Sequence, residues 1–275
     1  MPYDINRMDE IIANMVGHEI KEKFPRVSCE KGKKILEVKH LNAGRMVRDI
    51  NLELYEGEIV GIAGLMGAGR TETTRAIFGI DPKESGEIFI DGKEVKISCP
   101  ADSIKAGLVL APEDRKKDGL CTRLSIADNI ALPNLDILCE GPVGTVNRKK
   151  EKAMVDNAVK ALKIKLPNAQ VDAGSLSGGN QQKAIFGKWL ERSPNVFMMD
   201  DPTRGIDVGA KYEIYELIIN MAKQGKTIIV VSSEMPEILG ITNRIGVMSN
   251  GHLAGIVNTK ETNQEELLRL SAKYL

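Results

Sequence analysis

The sequence has no excess of charge of either sign, and this absence bounds its partners. Its 275 residues include 38 lysines and arginines and 38 aspartates and glutamates, so the formal net charge at pH 7 is zero. A chain without a positive excess has no overall field that attracts nucleic acid or an anionic membrane surface. We therefore expect no nucleic-acid partner.

Paired cysteines and long apolar runs are also missing. The four cysteines are scattered without C-x-x-C spacing, which is typical of reduced cytosolic thiols and makes a disulfide framework or a zinc site unexpected. They are Cys29, Cys99, Cys121 and Cys139. No apolar stretch has membrane-spanning length, and the first residues, MPYDINRMDEII, lack the charged-then-apolar layout of a signal peptide. Any membrane role is therefore expected to come through partners.

Both ends of the chain carry charged amphipathic segments. Residues 1–30 predict a tail helix, with apolar side chains at helical spacing and a breaker at Pro25. Residues 261–275 predict another helix, which Thr262 or Asn263 could cap and whose apolar face is Leu267, Leu268 and Leu270. The likeness of the two ends favours one unit cut from a tandem; the alternative is an ordinary terminal helix.

Between the tails, residues 31–260 predict one α/β domain. ILEVKHL, VRDINLELYEGEIVGIA and the Asp-Gly hairpin EIFIDGKEVKI predict an antiparallel sheet. Residues 115–190 are helical and polar, broken by LPNLDILCEGPVGTV, and predict an inserted helical lobe. Strands and amphipathic helices then alternate from VFMMD to RIGVMSNG, which calls for a parallel sheet.

The stretch GLMGAGRT follows an apolar strand and precedes a helix, the setting of a phosphate-binding loop. Backbone amides of such a loop point inward, and the helix N-terminus favours anions. The spacing is G-x-x-x-x-G-R-T, with Arg70 where the usual loop has lysine and with Thr71 as a candidate magnesium ligand. The predicted phosphate-contacting residues are Gly64, Gly67, Ala68, Gly69, Arg70, Thr71 and Glu72. A ligand-free strand-to-helix turn is the alternative.

A second glycine turn and a pair of carboxylates follow. SLSGGNQQK places Ser177 and two glycines before a helix, so its amides and the Ser177 hydroxyl predict another anion-binding helix start. The stretch VFMMDDPTRGIDVGAK begins with four apolar residues, which are followed by Asp200 and Asp201. This pattern is expected of a buried strand that delivers a magnesium ligand at its end.

Glycine loop, LSGG turn and strand-end aspartate, in this order, resemble the ATP-binding cassette (ABC) family over roughly residues 35–255. APEDRKKDGL, LSGGNQQK, DDPTRGIDVGAK and VVSSEMPEILGITNRIGVM resemble the second cassette of the tandem ATPase of bacterial importers for ribose, galactose and xylose. The resemblance implies a P-loop NTPase fold with a RecA-like parallel sheet, an antiparallel β subdomain and a helical signature subdomain. It also makes residues 1–30 the linker from a preceding cassette.

The family's roles transfer residue by residue and show departures at Arg70, Asp201, Ser233 and Glu113. Glu113 stands where a glutamine normally contacts magnesium and couples to the membrane subunit. The resemblance makes ATP and Mg²⁺ the expected cofactors, with Thr71, Asp200 and Glu113 toward the metal. Asp201 stands where an active cassette has the glutamate that polarises water, and Ser233 stands where it has a switch histidine. Asp201, Ser233 and Glu113 are thus the expected catalytic positions, although aspartate is a methylene shorter than glutamate, which predicts slow hydrolysis. No aromatic stands at the distance before the loop where the family stacks adenine, and HLNAGRMVRD offers only His40 or Arg45 for that contact.

The signature matches the family and implies a partner. Cassettes pack head to tail, so each signature acts on the nucleotide of the other; here it comprises Leu176, Ser177, Gly178, Gly179, Asn180 and Gln181, with Asp207 in the D-loop. The resemblance implies an ATPase of a sugar importer at the cytoplasmic face of the bacterial membrane. Its implied partners are another cassette, in the same polypeptide or as a second copy, permease subunits and, indirectly, a periplasmic or lipid-anchored sugar-binding protein. The alternative is a nucleotide-binding regulatory module without turnover.

Overall fold

A computed structural model describes residues 32–275 of the chain. The tail helix predicted for residues 1–30 lies outside the described residues. The predicted antiparallel sheet is confirmed in part, with the strand order β2-β1-β4-β5. The end of the predicted stretch VRDINLELYEGEIVGIA is an exception, because Ile59–Gly64 forms a strand of the parallel sheet. The strands of the antiparallel sheet are β1 (Lys34–Ala43), β2 (Val47–Tyr55), β4 (Ser85–Ile90) and β5 (Lys93–Glu94). Asp91 and Gly92 join β4 to β5 with φ angles of 50° and 76°, so the predicted Asp-Gly turn with positive φ is confirmed.

The predicted parallel sheet is also confirmed, with the order β12-β11-β3-β10-β9-β6 and an antiparallel strand only at the β12 edge. Its strands are β3 (Ile59–Gly64), β6 (Leu108–Ala111), β9 (Val196–Asp200), β10 (Thr227–Val231), β11 (Arg244–Ser249) and β12 (His252–Asn258). Every residue of β9 and β10 is buried, because helices cover one face and the antiparallel sheet with α1 covers the other. The carboxyl ends of β3, β9 and β10 therefore meet at one edge of the sheet.

Nine α-helices lie within residues 32–275. They are α1 (Arg70–Phe78), α2 (Pro100–Lys105), α3 (Ile126–Ala131), α4 (Leu135–Leu138), α5 (Arg148–Ala161), α6 (Gly178–Leu190), α7 (Val208–Lys223), α8 (Met235–Ile241) and α9 (Gln264–Ser271). Shorter helical turns are Arg115–Gly119, Leu132–Asn134, Ala173–Ser175 and Thr259–Glu261. No helix of the described chain has the length and apolar character needed to cross a bilayer.

The helices between residues 115 and 190 pack on the parallel sheet. Phe186 of α6 meets Phe197 of β9 edge to face, with ring centroids 5.5 Å apart, and both lie in one apolar core with α3 and α5. The broken stretch within this region contains a small hairpin of β7 (Cys139–Glu140) and β8 (Thr145–Val146), which the sequence pattern did not predict. The apolar contact with β9 therefore holds α6 against the parallel sheet.

The C-terminal helix α9 shows one correct and one wrong expectation. Asn263 rather than Thr262 caps it, since the Asn263 side chain accepts a hydrogen bond from the Glu266 amide at 3.0 Å. Leu267 is fully buried in the core. Leu268 was predicted on the same apolar face but is 48% exposed, because it follows Leu267 by one residue and points about 100° away around the helix.

Candidate functional site

The glycine loop, residues 64–71, joins the end of β3 to the start of α1. Gly67 and Gly69 have φ angles of 74° and 100°, which side chains other than hydrogen rarely permit. A Cβ on Gly69 would lie 2.1 Å from the carbonyl oxygen of Met46, so the β1–β2 turn leaves room only for glycine. The Gly251 amide donates to the Ala68 carbonyl at 2.9 Å from the other side. Two neighbouring turns therefore fix the loop.

The first turn of α1 presents backbone amides at the mouth of this loop. Gly69 is the N-cap residue and has no side chain with which to satisfy them. Amides of this kind, together with the positive end of the helix dipole, bind phosphate and other anions. Glu72 lies in the same turn and is half-buried. The predicted phosphate cradle is thus geometrically possible, with a carboxylate at its border.

Arg70 makes a contact that the sequence did not predict. Its Nη1 donates a hydrogen bond of 2.6 Å to the carbonyl oxygen of Ser232, immediately after β10. The side chain is half-buried, and its positive charge also favours ionisation of the nearby Asp200. Arginine carries several donors in a fork, so this single contact leaves other N–H groups for an anion.

Asp200 closes the site from the end of β9. It is 3% exposed, and its Oδ1 is buried without a hydrogen-bond partner. Burial, assisted by the charge of Asp201, raises the pKa of the Asp200 carboxyl to about 6, while a hydrogen bond with Thr71 opposes that rise. A buried oxygen without a partner requires an explanation, and a bound cation supplies one.

The donor set fits Mg²⁺. A threonine hydroxyl and one carboxylate are hard oxygen ligands, and Mg²⁺ typically takes one or two of these while phosphate and water oxygens complete its shell. No group of three or more histidine, cysteine, aspartate or glutamate side chains within residues 32–275 could enclose a metal by itself. Thr71 and Asp200 therefore suit a metal that arrives with a phosphate ligand.

Two of the three predicted catalytic positions meet beside Asp200. Oδ1 of Asp201 accepts hydrogen bonds from the Ser233 amide at 2.8 Å and from its hydroxyl at 3.2 Å. Asp201 has a φ angle of 41°, and its amide donates to the Val231 carbonyl at 2.9 Å. The exposed Ser233 thus holds one oxygen of the carboxylate from the end of β10.

The third position, Glu113, lies in a contact with the loop after β9. It forms an ion pair with Arg204, while Arg115 donates to the carbonyl oxygens of Arg204 at 2.5 Å and of Gly205 at 3.4 Å. Nothing in the sequence links these residues, which are about ninety positions apart. The APEDRK segment is therefore fastened to the loop that leads to Asp207.

The second helix start, at Ser177, differs from the prediction in one residue. Ser177 is the N-cap residue of α6 as expected, and its hydroxyl accepts a hydrogen bond from Nδ2 of Asn180 at 3.0 Å and caps no helix amide. Gln181 was expected among the outward contacts, but it is 3% exposed and donates to the Ala173 carbonyl at 3.2 Å. Residue 181 is four positions beyond Ser177, and α6 packs that side onto the core.

Close packing explains the glycines of this turn. A Cβ on Gly179 would lie 2.6 Å from the Cβ of Ala210, in the first turn of α7. Asp207 caps α7 by accepting a hydrogen bond from the Ala210 amide at 2.9 Å. Ser177 itself is exposed and Leu176 and Gly178 are half-buried, so the start of α6 is open to solvent and supported from beneath by the loop that carries Asp207.

The structure separates the two candidates for contact with adenine. Arg45 and Met46 line a cavity of about 390 Å³ that also includes Glu72 of α1. His40 instead pairs with Asp49, with 2.7 Å between its Nδ1 and the carboxylate. Arg45 is therefore the residue that borders the glycine loop.

Comparison with known proteins places this geometry in a family. Residues 47–204 match the family described as ABC transporter. The galactose/methyl galactoside import ATP-binding protein of Treponema denticola is 51% identical over 98% of the chain and 54% of its own length. The ribose import ATP-binding protein of Clostridium tetani is 44% identical over 97% of the chain and 52% of its own length. The chain thus spans about half the length of these relatives.

Solved structures confirm the fold. A nucleotide-free ATP-binding cassette from an ABC transporter superimposes with a TM-score of 0.70 at 21% identity, over 82% of this chain and 91% of that one. A cassette in a dimeric post-hydrolysis state bound to ADP and Pi gives 0.69 at 20% identity, over 83% of this chain and all of that one. With more than half of its residues matched to the family and with glycine loop, LSGG turn and strand-end aspartate in place, the chain belongs to the ABC transporter family.

Proposed function

We propose that this chain is an ATP-binding and ATP-hydrolysing unit of a bacterial sugar importer, which couples the nucleotide cycle to uptake of a monosaccharide. One observation carries the nucleotide site: the buried, unpartnered Oδ1 of Asp200 beside Thr71 at the mouth of the glycine loop. The relatives, whose names describe galactose and ribose import, support the sugar as cargo. Mg²⁺ held by Thr71 and Asp200 would neutralise charge on the phosphate oxygens.

The same site supports slow hydrolysis. It differs from the site of an active cassette at three positions, where Arg70, Asp201 and Ser233 replace lysine, glutamate and histidine respectively. Ser233 donates two hydrogen bonds to Oδ1 of Asp201. Only the other carboxylate oxygen of Asp201 is therefore left to orient an attacking water. A serine carries no charge with which to stabilise the transferred phosphoryl group. The chain's own residues therefore hold a nucleotide better than they cleave it.

The open turn at Ser177 is assigned to a different nucleotide. Leu176, Ser177, Gly178, Gly179 and Asn180 would complete the site of a second cassette, which is either part of the same polypeptide or another copy. Asp207 supports that turn from beneath through α7. Residues 1–30 would join the two cassettes, residues 115–190 would form the helical lobe, and residues 261–275 would end the domain.

The remaining partners follow from the importer assignment. Permease subunits would dock near Glu113 and the helical lobe, and a periplasmic or lipid-anchored sugar-binding protein would deliver the sugar. The chain would then lie peripherally at the cytoplasmic face of the membrane. A second candidate is a nucleotide-binding regulatory module without turnover, which the Asp201–Ser233 contact favours.

Binding and turnover of ATP with Mg²⁺ by this chain distinguish these functions. We expect nucleotide binding together with a slow phosphate release that Asp200→Asn abolishes. Asp156→Asn, which removes an exposed carboxylate from α5, is the matched control and should change neither quantity. Binding with no phosphate release beyond the Asp200→Asn level would favour the regulatory module. A chain that binds no nucleotide would contradict both.

A further inference from the structure

One buried carboxylate lies next to the nucleotide site and is not part of it. Glu237, in the first turn of α8, is 1% exposed. Burial of an ionised carboxylate is costly unless hydrogen bonds replace its water. The residues that replace water here are Thr203 and Ser232, which are themselves 1% and 2% exposed. A group of this kind holds its surroundings in one arrangement.

Each oxygen of Glu237 binds a hydroxyl from a different segment. The Thr203 hydroxyl, in the loop after β9, donates to Oε1, and the Ser232 hydroxyl, after β10, donates to Oε2. Tyr215 of α7 is a third neighbour: burial first, and then the charge of Glu237, raises the pKa of its phenol. The carboxylate thus joins two strand ends and a helix.

The Ser232 branch continues to the glycine loop. The Ser232 carbonyl accepts the 2.6 Å hydrogen bond from Nη1 of Arg70, and its hydroxyl accepts one of 3.0 Å from the Glu234 amide. The residue that anchors Arg70 is therefore itself held by Glu237 and by the start of α8. The path runs from Glu237 to Ser232 to Arg70, with one contact at each step.

We propose that Glu237 is a positioning residue for nucleotide binding: it fixes Ser232, and thereby the guanidinium of Arg70, at the mouth of the glycine loop. The inference rests on the proposed nucleotide site. Arginine has a long side chain with much rotational freedom to lose, so an anchor that orients its fork before binding raises affinity. Thr203 binds the other oxygen of Glu237 and stands outside the path to Arg70.

A double-mutant cycle on Mg-ATP affinity tests the path. Glu237→Gln keeps the shape of the side chain but removes its charge, and we expect affinity to fall about tenfold, as for loss of a charged hydrogen-bond partner. In an Arg70→Ala background the same change should alter affinity less than about twofold, because the group it positions is gone. Titration to millimolar nucleotide keeps the weaker variant measurable.

Two further variants keep the result independent of folding. Ser232→Ala removes the hydroxyl but retains the carbonyl that Arg70 uses, and it should reproduce the Arg70-dependent loss if Glu237→Gln does not fold. Thr203→Val removes the equivalent buried hydrogen bond on the other oxygen; it should lower the thermal midpoint as Ser232→Ala does, yet leave affinity nearly unchanged.

The contrary results are distinct from one another. Three results would overturn the inference while the nucleotide site stands, because each would show that Glu237 acts only on stability. The first is an equal loss of Mg-ATP affinity with and without Arg70, and the second is no loss of affinity with Glu237→Gln and Ser232→Ala. The third is an equal loss of affinity with Thr203→Val. Failure of the unaltered chain to bind Mg-ATP would instead overturn the proposed function, and the inference with it.

Discussion

The two glycine turns of this protein both begin a helix, but their surroundings are opposite. Gly69, before α1, is buried beneath Met46 and Gly251, and the charged side chains of Arg70, Glu72 and Asp200 border its mouth. Ser177, before α6, is exposed; its hydroxyl accepts a hydrogen bond from the neutral amide of Asn180, and the guanidinium of Arg115 lies beside Gly178 without a carboxylate of this turn. An enclosed, charged turn suits a ligand held within the chain, whereas an open, supported turn suits a ligand that another chain presents.

Three of the expected deviations from the family's pattern, Arg70, Asp201 and Ser233, lie around the enclosed site, and a fourth, Glu113, pairs with Arg204. The LSGG residues themselves match the pattern. This asymmetry supports the proposal that the chain contributes more to a partner's site than to its own.

Replacement of Gly69, in the enclosed turn, should have the largest effect, because it should change both the free energy of unfolding and nucleotide binding. Gly69→Ala would place a methyl group 2.1 Å from the Met46 carbonyl at a φ of 100°, so we expect about 3 kcal/mol of lost unfolding free energy, from overpacking and backbone strain together, and no nucleotide binding. Gly67→Ala is the matched control: its φ is 74° but its surroundings are open, so about 1–2 kcal/mol is expected. Urea unfolding measures both, and equal losses would show that packing by the neighbouring turns is irrelevant.

The open turn should matter more than Arg70 in the complete importer. Ser177→Arg fills the surface that we propose contacts a second cassette, so we expect sugar uptake to fall by about a hundredfold or more, as for displacement of an aligned reacting group. Arg70→Ala should lower uptake less than about tenfold, because on our proposal it alters a site that already hydrolyses ATP slowly. Uptake of labelled sugar by cells measures both, with Asn157→Arg on the exposed side of α5 as a control for added charge. Similar losses for the two variants would contradict the asymmetry.

The sequence predicts best the features that depend on neighbours along the chain. The Asp-Gly turn before β5, the glycine loop and the run of apolar residues that ends at Asp200 follow from backbone freedom, helix starts and burial, and each is where it was expected. The split of α9 into a buried Leu267 and an exposed Leu268 could have been predicted, because helical spacing alone separates adjacent residues.

Contacts between distant segments could not be predicted in this way. Glu237 is a carboxylate in the first turn of a helix, a position that is usually exposed, yet it is buried where Thr203 and Ser232 reach it from two strand ends. Arg204 and Glu113 are far apart in the sequence, and the loop after β9 brings them together at the surface. Pairing of this kind depends on the order of strands in the sheet, which no local pattern specifies.

The smallest predicted effect concerns proton uptake by the buried carboxyl of Asp200 beside the enclosed turn. The pKa of Asp200 is about 6, above its ordinary value near 4. The ligand-free fold therefore favours the protonated form, and this group should add stability as pH falls from about 6 to about 4. Mg²⁺ needs the ionised form, so its binding must release that proton below pH 6.

The gain in nucleotide affinity from Mg²⁺ should consequently shrink about tenfold between pH 7 and pH 5, while the ligand-free chain becomes more stable from this group. Titration calorimetry in buffers of different ionisation enthalpy measures both the affinity and the proton released. Phosphate groups of the nucleotide also take up protons in this range. The Asp200→Asn variant measures the proton exchange of these phosphates alone, because it lacks the Asp200 carboxyl. A gain that stays constant with pH in the unaltered chain would place the metal away from Asp200. The buried carboxylate would then no longer distinguish the enclosed turn from the open one.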